Sequence, residues 1–291
     1  MDYRYTELVY AKNIYENGFQ SVQHRPTELR LVATYMRRNL NYKPKKLKEE
    51  MEQWCETHIT GYKKELYYKM INTAINQACK KGSKLINIDR INFYQYEMDY
   101  INNLHIIKDK DTKEESEYSY ECKKVIFTLL FKMKVNKIIT ELKSEEEDFI
   151  YKGKYFQGGQ KKYTELKKLA KIRDKVKINE DIIHSLWISG YVSPMFHGLV
   201  KLNFMEELYG IEINPIPPDQ SIAIKVTDYE SVGWYFDYYN KDSRITFCKR
   251  CGKIFRKKSN RQEYCSEVCS STVNRNKTKK RMEKIRSSSI V

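Results

Sequence analysis

The chain has few of the residues that break regular structure: 11 glycines and 6 prolines in 291 residues. Collagen-like repeats and Pro/Gly-rich disorder are thereby excluded. Long apolar runs are lacking too. The longest, Val125 to Phe131, is seven residues and includes a threonine, whereas a helix that crosses a bilayer needs about 20. No transmembrane helix or membrane partner is expected. Asp2, Arg4 and Glu7 fall where a secretion signal would carry its apolar stretch, so a cytoplasmic chain is expected. Gly158-Gly159 lacks the Gly-Lys-Ser/Thr ending of a phosphate-binding loop. The five histidines form no cluster of metal-binding or catalytic spacing. Paired carboxylates with a lysine at nuclease spacing are missing, and so is a Cys-His arrangement. No catalytic residue and no small-molecule substrate are expected.

Positive charge is what the chain has in excess. Lys plus Arg number 54 against 38 Asp plus Glu, a net +16. Residues 241–291 hold 16 of those cations and only 4 acids. This tail therefore carries +12 of the total, the electrostatic footprint of a polyanion binder.

Four of the seven cysteines lie in that same tail. Cys248, Cys251, Cys265 and Cys269 read C-x2-C-x13-C-x3-C. Two close pairs separated by a short loop are the spacing of a single four-thiolate zinc site, because one ion must hold four sulfurs in a tetrahedron. Four thiolates close the coordination shell, so the expected zinc is structural and not catalytic. Gly252 sits where a knuckle turn needs positive φ. Lys253-Ile254-Phe255 is expected as a strand, Lys258-Ser259-Asn260 as a turn and Gln262-Glu263-Tyr264 as a returning strand. Ser266 is placed to cap a helix carrying Cys269. Knuckle, hairpin and helix together predict a treble-clef zinc finger that depends on its metal to fold.

Beyond Cys269, Lys277, Lys280, Arg281 and Lys284 follow the spacing of one helix face, and Arg275 adds charge on another side. With Arg256, Lys257, Lys258 and Arg261 from the loop region, they are the candidate nucleic-acid contacts, DNA more than RNA. Cys55, Cys79 and Cys122 are scattered and read as small buried thiols.

Upstream, residues 1–82 predict a helical domain. Its helices run over Tyr3–Asn17, from Pro26, from Pro44, and from about Tyr62 to Lys80. Leu29, Val32, Met36 and Leu40 recur on one face, and Leu47, Met51, Trp54 and Cys55 on another. Residues 83–120 predict a strand and helix followed by a charged linker or exposed loop, KDKDTKEESEYSYE. Residues 121–243 predict a winged-helix-like domain with a β-α extension. Its first helix spans Cys122 to Ile139 and its second Thr164–Ile172. The third is capped by Asn179, with Ile182, Ile183, Leu186 and Trp187 inward and Glu180, Asp181, His184, Ser185 and Ser189 outward. The wing is a hairpin around Pro194 to Gly198. That outward face offers no Arg, Lys, Asn or Gln for reading bases. Pro215, Pro217 and Pro218 mark a loop, Ile222–Val226 a strand, and Tyr229–Asn240 a helix that packs residues 244–291 against the centre. The fold class is mainly α with small β (α+β).

FCKRCGKIFRKKSNRQEYCSEVC with its basic helix, preceded by TELKKLAKI, INEDIIHSLWISGYVS and SIAIKVTDYESVGWYFDYYN, resembles proteins encoded by phages and prophages of low-GC Gram-positive bacteria. The last segment is also similar to the CGNR-type fingers of transcription regulators, though the CGNR tetrapeptide itself is absent. The resemblance implies a role near DNA in a phage or mobile element, regulatory or replicative. The alternative is a protein–protein adaptor for replication or transcription machinery, docking through residues 175–205.

Overall fold

The computed structural model describes residues 5–21, 23–143, 153–209 and 221–288. The expected loop at Pro215, Pro217 and Pro218 lies outside them, as does part of the acidic stretch that follows the long central helix. The architecture is mainly helical with small antiparallel sheets, as the sequence predicts. The chain packs as two compact units, Met1–Asp89 with Asn136–Tyr151, and Arg90–Val135 with Lys152–Val291.

The first unit contains α1 (Glu7–Asn17), α2 (Arg25–Arg38), α3 (Pro44–His58) and α4 (Lys64–Cys79). Prolines stand in the opening turns of α2 and α3, where the missing N–H costs no intrahelical bond. Leu29, Val32 and Met36 meet Met51, Trp54 and Ile71 in one core. Glu28 is fully buried and accepts bonds from the Tyr10 hydroxyl at 2.6 Å and the Gln20 N–H at 3.0 Å. Of the scattered cysteines, Cys55 and Cys122 are buried as expected, but Cys79 is exposed. It ends α4 on the side away from Ala78 and Ile75, which take the core positions.

The second unit begins with β1 (Ile91–Tyr94) and α5 (Gln95–Asn103). The charged stretch that follows is an exposed loop: Ile107 bridges Glu115, and Asp109 accepts the N–H groups of Asp111 and Thr112. Then comes α6 (Ser119–Lys143), which belongs to this unit as far as Val135. Val125, Ile126, Phe127, Leu129, Leu130 and Phe131 are all buried. A helix stretch apolar on every side belongs at the centre of its unit, and Phe127 touches both Phe93 (4.1 Å between rings) and Phe236 (5.6 Å).

Next are β2 (Tyr155–Gln157), α7 (Gln160–Ala170), a π-helical turn (Ile178–Ile183) running into α8 (His184–Ile188), β3 (Val192–Pro194), β4 (Leu199–Leu202) and α9 (Phe204–Tyr209). The three strands form an antiparallel sheet in the order β2-β4-β3. Asn179 is not the cap. The helix opens one residue earlier with a π turn, and the Asp181 carboxylate accepts the Lys177 N–H at 2.7 Å. A π turn takes up more residues than an α turn and rotates the face that follows. Trp187 is consequently exposed, not inward, while Ser185 is buried against Ser116 at 3.2 Å.

β5 (Ile222–Val226) spans the predicted residues and pairs with β1. Behind it come α10 (Val232–Tyr239), β6 (Ile245–Phe247), β7 (Ile254–Arg256) and α11 (Glu267–Ser288). α10 touches α7, β5, β6 and β7. This is the packing role expected of the 229–240 helix.

Candidate metal centre and basic surface

Two short strands build one half of the centre. β6 and β7 pair antiparallel, with Phe247 opposite Ile254, and the Cys248–Cys251 knuckle forms their connection. Gly252 has φ +69 and no atom within 4 Å of an added Cβ, so its glycine serves conformation and not space. The turn is closed by bonds from Cys248 N–H to the Lys253 carbonyl (2.8 Å) and from Gly252 N–H to the Cys248 carbonyl (2.9 Å).

The predicted returning strand at Gln262–Tyr264 does not form. Ile254–Arg256 finds its partner upstream, at Ile245–Phe247. Residues 262–264 are held differently: the Gln262 side chain bonds the Lys258 N–H and the Tyr264 carbonyl, and the Lys249 N–H bonds the Glu263 carbonyl. This loop delivers Cys265. The opening turn of α11 delivers Cys269, whose N–H bonds the Ser266 hydroxyl at 3.3 Å as a helix cap.

The four sulfurs all lie within 4.8 Å of one another, the one such group of metal-ligating side chains among the described residues. Cys251 and Cys265 are 3.6 Å apart, and Cys265 and Cys269 3.7 Å. A disulfide would need about 2.05 Å. Sulfurs arranged tetrahedrally about one ion at 2.3 Å stand about 3.8 Å apart. The spacing fits a shared metal and not a pair of disulfides. Burial pushes the Cys248 thiol up, but the N–H groups of Cys251, Cys265 and Arg250 outweigh it and hold the thiol at about 6. Burial, then the neighbouring thiols of Cys251 and Cys269, raise Cys265 to about 12. Without a cation, four sulfurs so close cannot all ionise, and a bound cation is what would let them do so.

The centre has almost no core of its own. Cys248, Phe255 and Cys269 are buried, with Trp234 of α10 and Tyr264 packed against them. Phe247 meets Tyr238 edge-on at 4.9 Å. Trp234 escaped the sequence reading because it precedes the first cysteine by 14 residues; only the run of aromatics around it hinted at a packing role.

The predicted basic residues are placed along one continuous segment after the knuckle. Arg256 ends β7, Lys257, Lys258 and Arg261 occupy the loop, and Arg275, Lys277, Lys280 and Arg281 lie on α11. All are exposed except Lys257, which is half-buried. None joins an ion pair among the described residues. Lys284 belongs to α11, but its side chain lies outside those described. Among its described residues α11 has no buried stripe beyond its first turn, and no described residue pairs with Arg275, Lys277, Lys280 or Arg281. A second set of lysines was not singled out from sequence. Lys167, Lys168 and Lys171, in the run KKYTELKKLAK, line a groove of about 830 Å³ between α7 and the π turn.

No family model, curated protein or solved structure matches the chain.

Proposed function

We propose that this chain is a non-enzymatic nucleic-acid-binding protein whose C-terminal finger is folded by one structural zinc ion. The observation that carries the reading is the position of the four-cysteine cluster. It sits at the start of an exposed helix whose Arg275, Lys277, Lys280 and Arg281 have no ion-pair partner among the described residues. Four thiolates favour zinc over hard cations, and they leave no open coordination position. Zinc with four thiolates adds about −2, so the segment from 241 onward keeps a charge near +10. Arg256, Lys257, Lys258, Arg261 and the α11 cations, Lys284 among them, neutralise backbone phosphates and release counterions. DNA is the preferred target, in a bacterial or phage-infected cell and in service of a mobile element.

The order α6, β2, α7, α8, β3, β4 and the sheet order β2-β4-β3 support reading this part of the chain as a winged-helix-like domain. In this reading the domain mainly contacts backbone, because its third helix exposes Glu180, His184 and Trp187 and a single amide, Asn179, in its opening turn.

The test is a salt titration of binding to labelled duplex and single-stranded DNA, before and after chelation. Tight binding that falls steeply with salt and vanishes with the metal is the expected result. Replacing Lys280 and Arg281 by alanine should flatten the log K against log[salt] slope by about 1 to 2. No binding by the metal-loaded protein at moderate salt would overturn the reading in favour of a protein adaptor acting through residues 175–205.

A further inference from the structure

The connection between β3 and β4 presents an aromatic ring to solvent on a fastened support. Phe196 is 88% exposed, more than any other large apolar side chain among the described residues, and its neighbour Met195 is 45% exposed. A mobile tip would explain such exposure, but this tip is held. The Met195 N–H bonds the Leu199 carbonyl at 2.8 Å and closes the turn. The Gly158 N–H bonds the Gly198 carbonyl at 2.8 Å, and the Gln157 side chain bonds the His197 carbonyl at 3.1 Å. Gly158 packs so tightly there that an added Cβ would stand 2.6 Å from the Tyr163 hydroxyl and 2.7 Å from the Gly198 oxygen. His197 adopts φ 58, ψ 28, a left-handed conformation that a non-glycine residue takes at a cost. The chain thus spends strain and three hydrogen bonds to keep an apolar ring in water.

The tip is one end of a charged path. Gly158 leads directly into α7, whose 11 residues extend about 16 Å, roughly the length of five base pairs. Tyr163 borders both the tip and the lysine-lined groove. Along that groove Lys167 is tied down by the carbonyls of Asp174 and Val176, but Lys168 is exposed and in no ion pair among the described residues. Lys171 closes the far end, its ammonium 4.8 Å from the centre of the Trp234 ring. That ring packs against the cysteine centre. One helix therefore connects the exposed ring, through lysines, to the metal-bearing module.

We infer that the β3–β4 tip and the α7 groove form a second nucleic-acid contact, in which Phe196 stacks on an unpaired or wedged-open base while Lys168 and its neighbours hold the phosphates of the same strand. The inference rests on the nucleic-acid reading above and adds to it a base-stacking residue and the path of the strand along α7. Charge decides the occupant: Lys177 and Glu180 pair with each other in the groove wall, which leaves Lys167, Lys168 and Lys171 against Asp174, so the groove suits an acidic strand, and the aromatic face at its end accepts any base.

The test measures anisotropy of labelled single-stranded and duplex DNA over a range of salt, for the full chain loaded with zinc. Phe196→Ala should weaken single-strand binding about 5- to 100-fold while leaving the salt slope unchanged. Phe196→Trp should restore the affinity, and its fluorescence should be quenched on binding. Lys168→Ala should instead flatten the slope by about 1. If the wild type binds and Phe196→Ala binds equally well, this inference fails and the function proposed above survives. If the wild type binds no DNA at any salt, both fail. Self-association that Phe196→Ala abolishes, with DNA affinity intact, would assign the tip to a second copy of the chain and overturn the inference.

Discussion

Lys124 of α6 and Asp237 of α10 form an ion pair at 2.6 Å with both side chains less than a tenth exposed. Asp237 also accepts the Tyr120 hydroxyl at 2.8 Å. Burial outweighs the attraction of Asp237 and lowers the Lys124 ammonium below the ordinary lysine range. Each charge is tolerable there only because of the other. Lys124→Ala or Asp237→Asn should cost about 3–5 kcal/mol, whereas Lys124→Met combined with Asp237→Leu should recover most of that loss. Urea unfolding of the four proteins checks it; additive single losses would show that the pair is not coupled.

Two glycines separate crowding from conformation. At Gly233 an added Cβ would stand 1.9 Å from the Ala170 carbonyl oxygen, so α7 and α10 touch backbone to backbone. Gly233→Ala should destabilise the second unit by about 3 kcal/mol or more. At Gly252 space is open and only the positive φ resists, so Gly252→Ala should cost about 1 kcal/mol. Thermal unfolding of the two variants should rank them in that order.

Thiol reactivity should arrive in three steps. In the zinc-loaded protein the exposed Cys79 reacts with a thiol reagent at once. Chelation releases Cys248, Cys251, Cys265 and Cys269. Cys55, whose thiol burial pushes up to about 12, and Cys122, which burial also raises, wait for denaturant. Mass spectrometry of labelled protein counts the steps. Early labelling of Cys248 in the loaded protein would contradict the metal site.

Trp234 should report the metal. Its ring packs on the core made by Cys248, Phe255 and Cys269, and so small a core depends on the ion. Chelation should shift the tryptophan emission, and Trp234→Phe should abolish the shift while leaving the signals of Trp54 and Trp187 in place.

Much of this was legible where one residue type forces one geometry. Pro26 and Pro44 mark the first turns of their helices, Gly252 marks the knuckle, and the C-x2-C-x13-C-x3-C spacing brings four sulfurs to one point. Periodicity placed α4 and β5 close to their observed bounds. It failed where tertiary partners decide. Ile245-Thr246-Phe247 is too short to announce a strand, so the sequence points to a partner for β7 on the wrong side. A π turn has no sequence signature that distinguishes it from an α turn, so an α-helical spacing puts Trp187 inward and Ser185 outward, the reverse of what the fold has. Nothing in the order of residues says that the β3–β4 turn is latched to Gly158, because that contact joins segments 40 residues apart.

The pairing of β1 with β5 sets a timetable for biosynthesis. Ile91 waits for Val226, which leaves the ribosome 135 residues later. The helices α1 to α4 have one another as partners long before then. Residues 91–94 present an unpaired edge throughout that interval, and loop closure over such a length is slow. The first unit is therefore expected to reach its native packing on the ribosome, while the second stays open to chaperones and to strand mispairing until nearly four-fifths of the chain has been made.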